Sequence, residues 1–495
     1  MASRLNRLEG SFRTYAPTPN LKFDVIPINA LDTTHLVKPF VTAYYVYLKG
    51  CLDSSKLRDS LEALVIQKYR VLASRLTSAL DYFYVPRPES ISRDSLVAFE
   101  FSSNQHLEHT VKSAVPSIGH LNARSDQITL HPGPPDLGIF EGPERALDEY
   151  FQHPNQPELN SPILKVHVEV LSDATFLSVQ IPHLVTDARG FETILRSWAT
   201  VMNDSLDEAP SPTPLGWNPL HGLGDSSKPA NNSELIPSGW SCLVGDSVTK
   251  LMEATLKEFE EEPVTKNMSL HIPSSEIRRL RREAQQDISN TTQLSENDVL
   301  FAFLVRTWAA SCASPSSTVV HLSFPIDLRS QLPERFAVHA GVYLHNGVFP
   351  VPLLRPLTVA QLQTMSLGAV ALEVRKTITH LTQDVQEPVV DWVLANLNQN
   401  PIPRGTDGLS FVVSSWRRIK FLDMEFRGAT LNPSGTGGRL AQIGISSSGH
   451  VPARRVCVVE CDDGDGGVWC GMDLPEGDWT RGAFGTIKRN TVTLN

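Results

Sequence analysis

The chain is 495 residues long, with 44 lysines and arginines against 54 aspartates and glutamates and a net charge of −10. Apolar residues make up 41% and charged residues 20%, a globular balance that excludes a disordered chain. The acidic balance excludes a nucleic-acid-binding face, which needs a surplus of lysine and arginine, and offers no attraction to anionic lipid.

No run approaches the ~18 apolar residues of a membrane span. The densest, Val299 to Val305, is a short one. Met1 to Glu9 lack the apolar core of a signal peptide, so a cytoplasmic protein is expected. Cys51, Cys242, Cys312, Cys457, Cys461 and Cys470 form no C-x-x-C pair, which excludes zinc-ribbon and thioredoxin-like readings.

In chain order, Phe40 to Leu48 is rich in Val, Thr and Tyr and predicts a strand. Ser54 to Val71 has helical spacing. Ile163 to Val170 alternates apolar with polar and predicts a half-buried strand, and Thr175 to Ile181 folds back on it as a hairpin. Pro182 to Gly190 is a loop. Phe191, Ile194, Leu195, Trp198 and Met202 then recur on one face, so a helix begins at Gly190 or just after it. Asp204 to Gly239 is rich in Pro, Ser, Asn, Gly and Asp and reads as a linker. The chain divides accordingly into a first half (1–205), a crossover (206–260) and a second half (261–495).

In the second half, Ser295 reads as an N-cap, with Glu296 and Asp298 in the first turn favouring the helix dipole. Leu300, Phe303, Leu304 and Trp308 line one face of that helix. Val319 to Ile326 predicts a buried strand and Val359 to Leu381 a helix. Leu409 to Trp416, Leu440 to Ile445, Arg455 to Cys461 and Val468 to Met472 predict strands. Strands and helices are interspersed in both halves, which makes the chain α/β with mixed sheets.

His183 is the first candidate for chemistry. It stands at the mouth of a loop after a buried strand, four residues before Asp187. A neutral imidazole held there is the usual general base near neutral pH. Asp187 can orient that ring, or it can brace the loop by pairing with an arginine. No G-x-S-x-G, G-x-x-x-x-G-K-[ST] or H-E-x-x-H occurs, so serine-hydrolase, P-loop and zincin readings fail.

Pro182-His183-Leu184-Val185-Thr186-Asp187 resembles the HxxxD motif of the BAHD acyl-CoA-dependent acyltransferases, in their fungal secondary-metabolism branch. Pro27 to Asp32 resembles the family's N-terminal P-L-S-x-x-D segment. Gln293 to Leu300 with Ala302 is similar to its S-x-N-D-x-L-x-A helix start, and Pro325 to Ser330 to its D-x-R-S segment. Tyr343 to Asn346 sits where the family has an aromatic-Gly-Asn turn. Ser415-Trp416 followed by Leu422 to Gly428 resembles S-W … D-F-G-W-G. These segments occur in the family's order over about residues 27 to 475.

The resemblance implies two similar mixed-sheet domains, like chloramphenicol acetyltransferase, joined by a crossover loop with a channel at their interface. It implies O-acyl transfer, with acetyl-CoA first among donors, to a hydroxyl of a terpenoid or meroterpenoid. N-acylation of an alkaloid amine, a carrier-bound thioester donor and a non-catalytic binding member of the fold are the alternatives. His183 would be the general base. Asp187 would pair with Arg329 as a structural brace. Asp423 is grouped with the catalytic residues, and His345 and Asn346 with substrate binding. No metal and no permanently bound cofactor are expected, acyl-CoA being a co-substrate. The partners are small molecules, not nucleic acid or membrane, and the enzyme is expected to be a monomer. The sequence departs from the family pattern at Ala188, where a Gly usually follows the Asp, and at Glu425 and Phe426, where it has Gly and Trp. Phe426 has no N–H to offer an oxyanion.

Overall fold

The computed structural model describes residues 22–489 apart from 35–36, 92–95, 116–125, 135–138, 140–145, 204, 225–235, 289–291, 432–436 and 450–452. The expectation drawn from Met1 to Glu9 and the middle of the linker lie outside the described residues. The strands in chain order are β1 Phe23–Pro27, β2 Val41–Lys49, β3 Tyr82–Pro86, β4 Glu100–His106, β5 Thr129–Pro132, β6 Lys165–Leu171, β7 Ala174–Pro182, β8 Ser241–Cys242, β9 Thr265–Ile272, β10 Val319–Asp327, β11 Val348–Pro352, β12 Leu357–Thr358, β13 Pro401–Ile402, β14 Leu409–Ser415, β15 Leu440–Ser448, β16 Val456–Asp462, β17 Val468–Pro475 and β18 Lys488–Arg489.

Five of them form one sheet in the order β15-β2-β7-β6-β4, and a larger sheet runs β11-β10-β14-β16-β17-β9-β5-β18 with β12 beside β10. Both sheets are mixed: β4 lies parallel to β6, and β14 parallel to β10 and β16, among antiparallel neighbours. Each sheet packs its own core. The first includes Phe191 and Trp198 from the helix Ala188–Asn203. The second includes Leu300, Leu304 and Trp308 from the helix Glu296–Ala309. The two halves also interlock. β15, late in the chain, completes the five-stranded sheet against β2, and β5, early in the chain, joins the larger sheet against β9.

Local chemistry explains the element starts. Asp53 caps the helix Ser54–Gln67, its carboxylate accepting from the Ser55 and Lys56 amides. Ser295 and Asp298 form a reciprocal capping box at the start of Glu296–Ala309. Asp298, fully buried, also takes the Arg375 Nε–H at 2.8 Å, which ties that helix to Leu367–His380. The single helix expected over Val359 to Leu381 is two, Val359–Thr364 and Leu367–His380. Thr358 caps the first, and the Ser366 side chain restarts the second by accepting from the Ala369 amide.

β6 departs from the half-buried strand expected. Only Lys165 is more than slightly exposed. Its alternation separates an apolar face from a buried polar one. On the polar face the His167 ring bridges Ser102 Oγ and Glu169 Oε1, each at 2.7 Å.

Glu460 sits at a bulge in β16, where the register against β17 shifts between Val459 and Cys461. It is fully buried; Oε1 accepts from the Ile445 amide at 3.0 Å and Oε2 has no partner. Burial pushes this carboxyl up to about 8. The unfolded chain loses that proton near pH ~4. The folded state therefore holds the extra proton between the two values, and stability falls as pH rises from about 4 towards 8. Glu460→Gln keeps the Oε1 acceptor and removes the ionisation. Its melting temperature at pH 8 should exceed wild type by at least about 2 °C, and the fall between pH 5 and 8 should flatten. Thermal melts across that range check both.

Candidate active site

β7 ends at Pro182, and the His183 amide donates to the Phe40 carbonyl at 2.8 Å, so the backbone of His183 continues the pairing with the entry to β2. The Val185 amide then closes a turn onto the Pro182 carbonyl at 2.9 Å. Asp187 ends the loop as the N-cap of Ala188–Asn203. Its Oδ1 accepts from the Gly190 amide at 2.9 Å, and its carbonyl from the Phe191 amide at 2.8 Å. The helix thus starts at Ala188, earlier than apolar periodicity indicated, because a polar cap and not a buried side chain sets its first turn.

Ala188 is accommodated there, and the glycine the turn requires is Gly190. A Cβ on Gly190 would stand 2.1 Å from Thr186 Oγ1 and 2.2 Å from the Leu344 carbonyl oxygen. Thr186 Oγ1 itself donates to that carbonyl at 2.6 Å. Gly190→Ala should lower stability by about 1–3 kcal/mol, as overpacking of a tight site does. Denaturant unfolding reads it.

From the second half, β10 ends at Asp327, whose Oδ1 accepts from the Arg329 amide at 3.1 Å and from Arg329 Nη1 at 3.0 Å. The guanidinium is thereby aimed at Asp187. Arg329 Nη1 donates to Asp187 Oδ2 at 2.9 Å and Nη2 to Oδ1 at 3.2 Å. Nη2 also donates to the His345 carbonyl at 2.5 Å. The Gly347 amide gives Asp187 Oδ2 another donor at 2.7 Å. Burial pushes the Asp187 carboxyl up, but Arg329 and the Gly190 and Gly347 amides outweigh it and hold it below the usual carboxylate range. The Arg329 guanidinium is raised despite its own burial, chiefly by Asp187 and Asp327.

His183 is half-buried, and its Nδ1 is buried with no partner in another residue. Burial holds the imidazole below its ordinary pKa, against the opposing pull of its own backbone carbonyl, the Asp187 carboxylate and the Asn346 side chain. A neutral ring with one free nitrogen lone pair is what a proton acceptor needs.

Asn346 is almost fully buried. Its Nδ2 donates to the His183 carbonyl at 2.8 Å and to Asp32 Oδ1 at 2.7 Å, and its amide N to the same Oδ1 at 3.0 Å. Both protons of its side-chain amide are thus directed at protein atoms. Asp32 is sealed from solvent, and burial pushes its carboxyl up to about 8. His345 is half-buried, stacked on Phe83 at 5.6 Å between centroids, with Nδ1 3.1 Å from the Val185 carbonyl. Burial lowers its pKa to about 4. The structure therefore gathers His183, Asp187, Arg329, His345 and Asn346 into one network. Sequence reasoning had not placed Asp32 or Gly347 in it. Asp32 carried a signal as the last residue of the P-L-S-x-x-D-like segment; Gly347 contributes only a backbone amide and carried none.

Asp423 lies outside this network. It is exposed on a 3-10 turn, Phe421–Asp423, and no hydrogen bond or ion pair joins it to His183, Asp187 or Arg329. Glu425 beside it pairs with Arg427 and Arg439. Phe426 is fully buried and meets Trp198 edge-on at 5.3 Å.

A cavity of about 350 Å³ reaches the network from the side of the larger sheet. Its wall includes Asp187, Arg189, Arg329, Asn297, Ser415 and Arg418, but not His183. Among the described residues no helix is long and apolar enough to cross a membrane, and no group of side chains could hold a metal ion.

A model described as the Transferase family matches residues 135–429. The chain belongs to this family, the BAHD acyltransferases. Similar proteins include O-acetyltransferase PaAT-2 of Phomopsis amygdali, 24% identical over 92% of this chain and 96% of that one. Acetyltransferase sphE of Aspergillus fumigatus is 24% identical over 94% of this chain and 96% of its own length. Among solved structures, F. graminearum TRI101 complexed with coenzyme A and T-2 mycotoxin superposes with a TM-score of 0.64 at 12% identity, over 92% of this chain and 96% of that one. Vinorine synthase gives a TM-score of 0.55 at 15% identity, over 94% and 93%. The likeness to both shows the two-domain α/β fold.

Proposed function

We propose that the protein transfers an acyl group, acetyl first, from acyl-CoA to a hydroxyl of a specialised metabolite such as a terpenoid or meroterpenoid. The observation that carries this reading is His183: a half-buried imidazole kept neutral by burial, on a loop whose Asp187 is bound by Arg329 and two backbone amides. His183 takes the proton from the acceptor hydroxyl as its oxygen attacks the thioester carbonyl. The tetrahedral intermediate collapses, the C–S bond breaks, and the same ring returns the proton to the leaving thiolate. No covalent enzyme intermediate is needed, because a thioester is already activated.

The cavity beside Asp187 suits the donor. Arg189 and Arg418 in its wall can face phosphates, and its apolar lining can hold the pantetheine arm. The names of PaAT-2 and sphE favour acetyl as the group transferred, and PaAT-2 favours oxygen as the acceptor atom. TRI101, complexed with coenzyme A and T-2 mycotoxin, favours a specialised natural product as acceptor. The same reading places the enzyme in the cytoplasm as a monomer. The experiment is intact-mass screening of hydroxylated terpenoids and meroterpenoids, and of amines, with acetyl-CoA and the full chain. An acetylated alcohol with matching thiol release supports the reading. Acetylation confined to amines, or transfer only from an acyl-pantetheinyl carrier protein, sinks it.

A further inference from the structure

His345 stands where the aromatic-Gly-Asn pattern has its glycine, so its imidazole is an addition of this chain. The ring is held on three sides. It stacks on Phe83 of β3 with the planes 21° apart, and it meets Tyr343 edge-on at 5.6 Å between centroids. Its Nδ1 lies 3.1 Å from the carbonyl of Val185, on the loop that carries His183. A carbonyl oxygen can only accept. Nδ1 therefore carries the proton of the neutral ring, and the lone pair is on Nε2. Nε2 has no hydrogen-bond partner among the described residues, and it is not one of the buried polar atoms left without one. In this half-buried residue it opens on accessible space. That space lies off the cavity beside Asp187, whose wall includes neither His345 nor His183. The two rings are close along the chain that holds them. The His183 carbonyl binds Asn346 and the Val185 carbonyl binds His345, and two residues span at most about 7 Å.

We propose that His345 Nε2 is a fixed hydrogen-bond acceptor for the acyl acceptor: it receives a second hydroxyl of that molecule while a first meets His183, which makes the substrate class a diol or polyol. The proposal rests on the reading of His183 as the base and adds to it what the acceptor must carry. His345 is not a second base. Burial, aided by Arg329 and opposed by the Val185 carbonyl and Asp187, lowers its pKa to about 4, so near neutral pH it releases a proton instead of holding one. What a locked lone pair offers is recognition. An alcohol with no second donor leaves that nitrogen unpaired, and a site built to bond a hydroxyl discriminates against the analogue that lacks it. The usual net worth of one hydrogen bond sets the preference at about tenfold.

The test uses the full-length protein and two matched pairs of alcohols. They are geraniol against hydroxygeraniol, whose second hydroxyl is at the far end of the chain, and menthol against p-menthane diol, whose hydroxyls lie close together. Diethyl pyrocarbonate, which attacks only unprotonated and accessible imidazole nitrogens, reports on His345 by peptide mapping. Its reaction at His345 should be nearly as fast at pH 5 as at pH 7, where an ordinary histidine slows by about tenfold or more. In at least one pair the diol should protect His345 at about tenfold lower concentration than the monoalcohol. In acetyl transfer, the ratio of kcat/KM for that diol over its monoalcohol should fall about tenfold in His345→Phe, a ratio that general damage to the fold leaves alone. His345→Gln, which keeps a donor and an acceptor, should recover part of it. If His345→Phe does not fold, the wild-type protection midpoints decide. An unreactive His345, equal protection within both pairs, or an unchanged ratio in a folded His345→Phe overturns the proposal. Diol-selective protection with wild-type transfer in His183→Ala would instead overturn the base reading and leave His345 as a binding group.

Discussion

His183→Ala should lose about 10²–10⁴ of the acetyl-transfer rate, the usual worth of a general base, while melting within about 2 °C of wild type. The two halves of that expectation rest on different atoms. What His183 gives the fold is backbone: its amide to the Phe40 carbonyl and its carbonyl to Asn346. Alanine keeps both. What it gives the reaction is the imidazole, which is half-buried and not sealed in the core. The pH dependence adds a second check. The base works when unprotonated, and burial holds its pKa below the ordinary 6.5. The rate should therefore stay level from neutral pH down past 6.5 and fall only on the acid side of that value. In His183→Ala that acid limb should disappear along with the rate. A full rate without the ring would refute base catalysis by this residue.

Much of the framework around His183 could be read from local patterns. The strand Thr175 to Ile181, the loop after it and the apolar stripe from Phe191 are all encoded within a few residues of one another. The Ser295 cap was equally legible, because a capping box spans one helical turn. What escaped was set by long-range geometry. The Asn346 to Asp32 bonds join residues 314 apart in sequence, and the Asn346 to His183 bond residues 163 apart. β5 and β15 look like ordinary strands, and nothing local tells that each pairs in the other half's sheet. β6 shows why alternation misleads: polar side chains at every second position mean a solvated face only when no polar partners cover them, and Ser102 and Asn104 do. The resemblance grouped Asn346 with substrate binding, whereas its amide protons are directed at Asp32 and the His183 carbonyl. It grouped Asp423 with catalysis, whereas that carboxylate is exposed outside the network.

Arg329→Ala should destabilise the protein by about 3–5 kcal/mol, the cost of stranding one partner of a buried ion pair. Both side chains are well shielded, with 16% of Arg329 and 6% of Asp187 exposed, so solvent screening does little to soften the loss. The variant leaves the Asp187 carboxylate with only its two backbone amides. It also leaves the His345 carbonyl without its guanidinium donor. Because Arg329 follows a strand of the larger sheet and Asp187 follows one of the smaller sheet, the damage should appear as earlier melting of the whole molecule. Its pH dependence has a definite sign. Asp187 titrates below its unfolded value, so its contribution is present above about pH 4 and is lost as pH falls through the folded value. Without Arg329 the folded value rises, and acid unfolding should begin at higher pH. Asp187→Asn should behave alike, lowering the melting temperature at least as much as turnover, because an amide turns an N–H towards donors that need an acceptor. Paired with Arg329→Met, Asp187→Asn should recover part of the lost stability, since neither charge is then stranded. Melting curves from pH 4 to 8 with parallel thiol-release rates decide between two roles. An Asp187→Asn protein as stable as wild type but inactive would make Asp187 a partner of the His183 ring and not a brace.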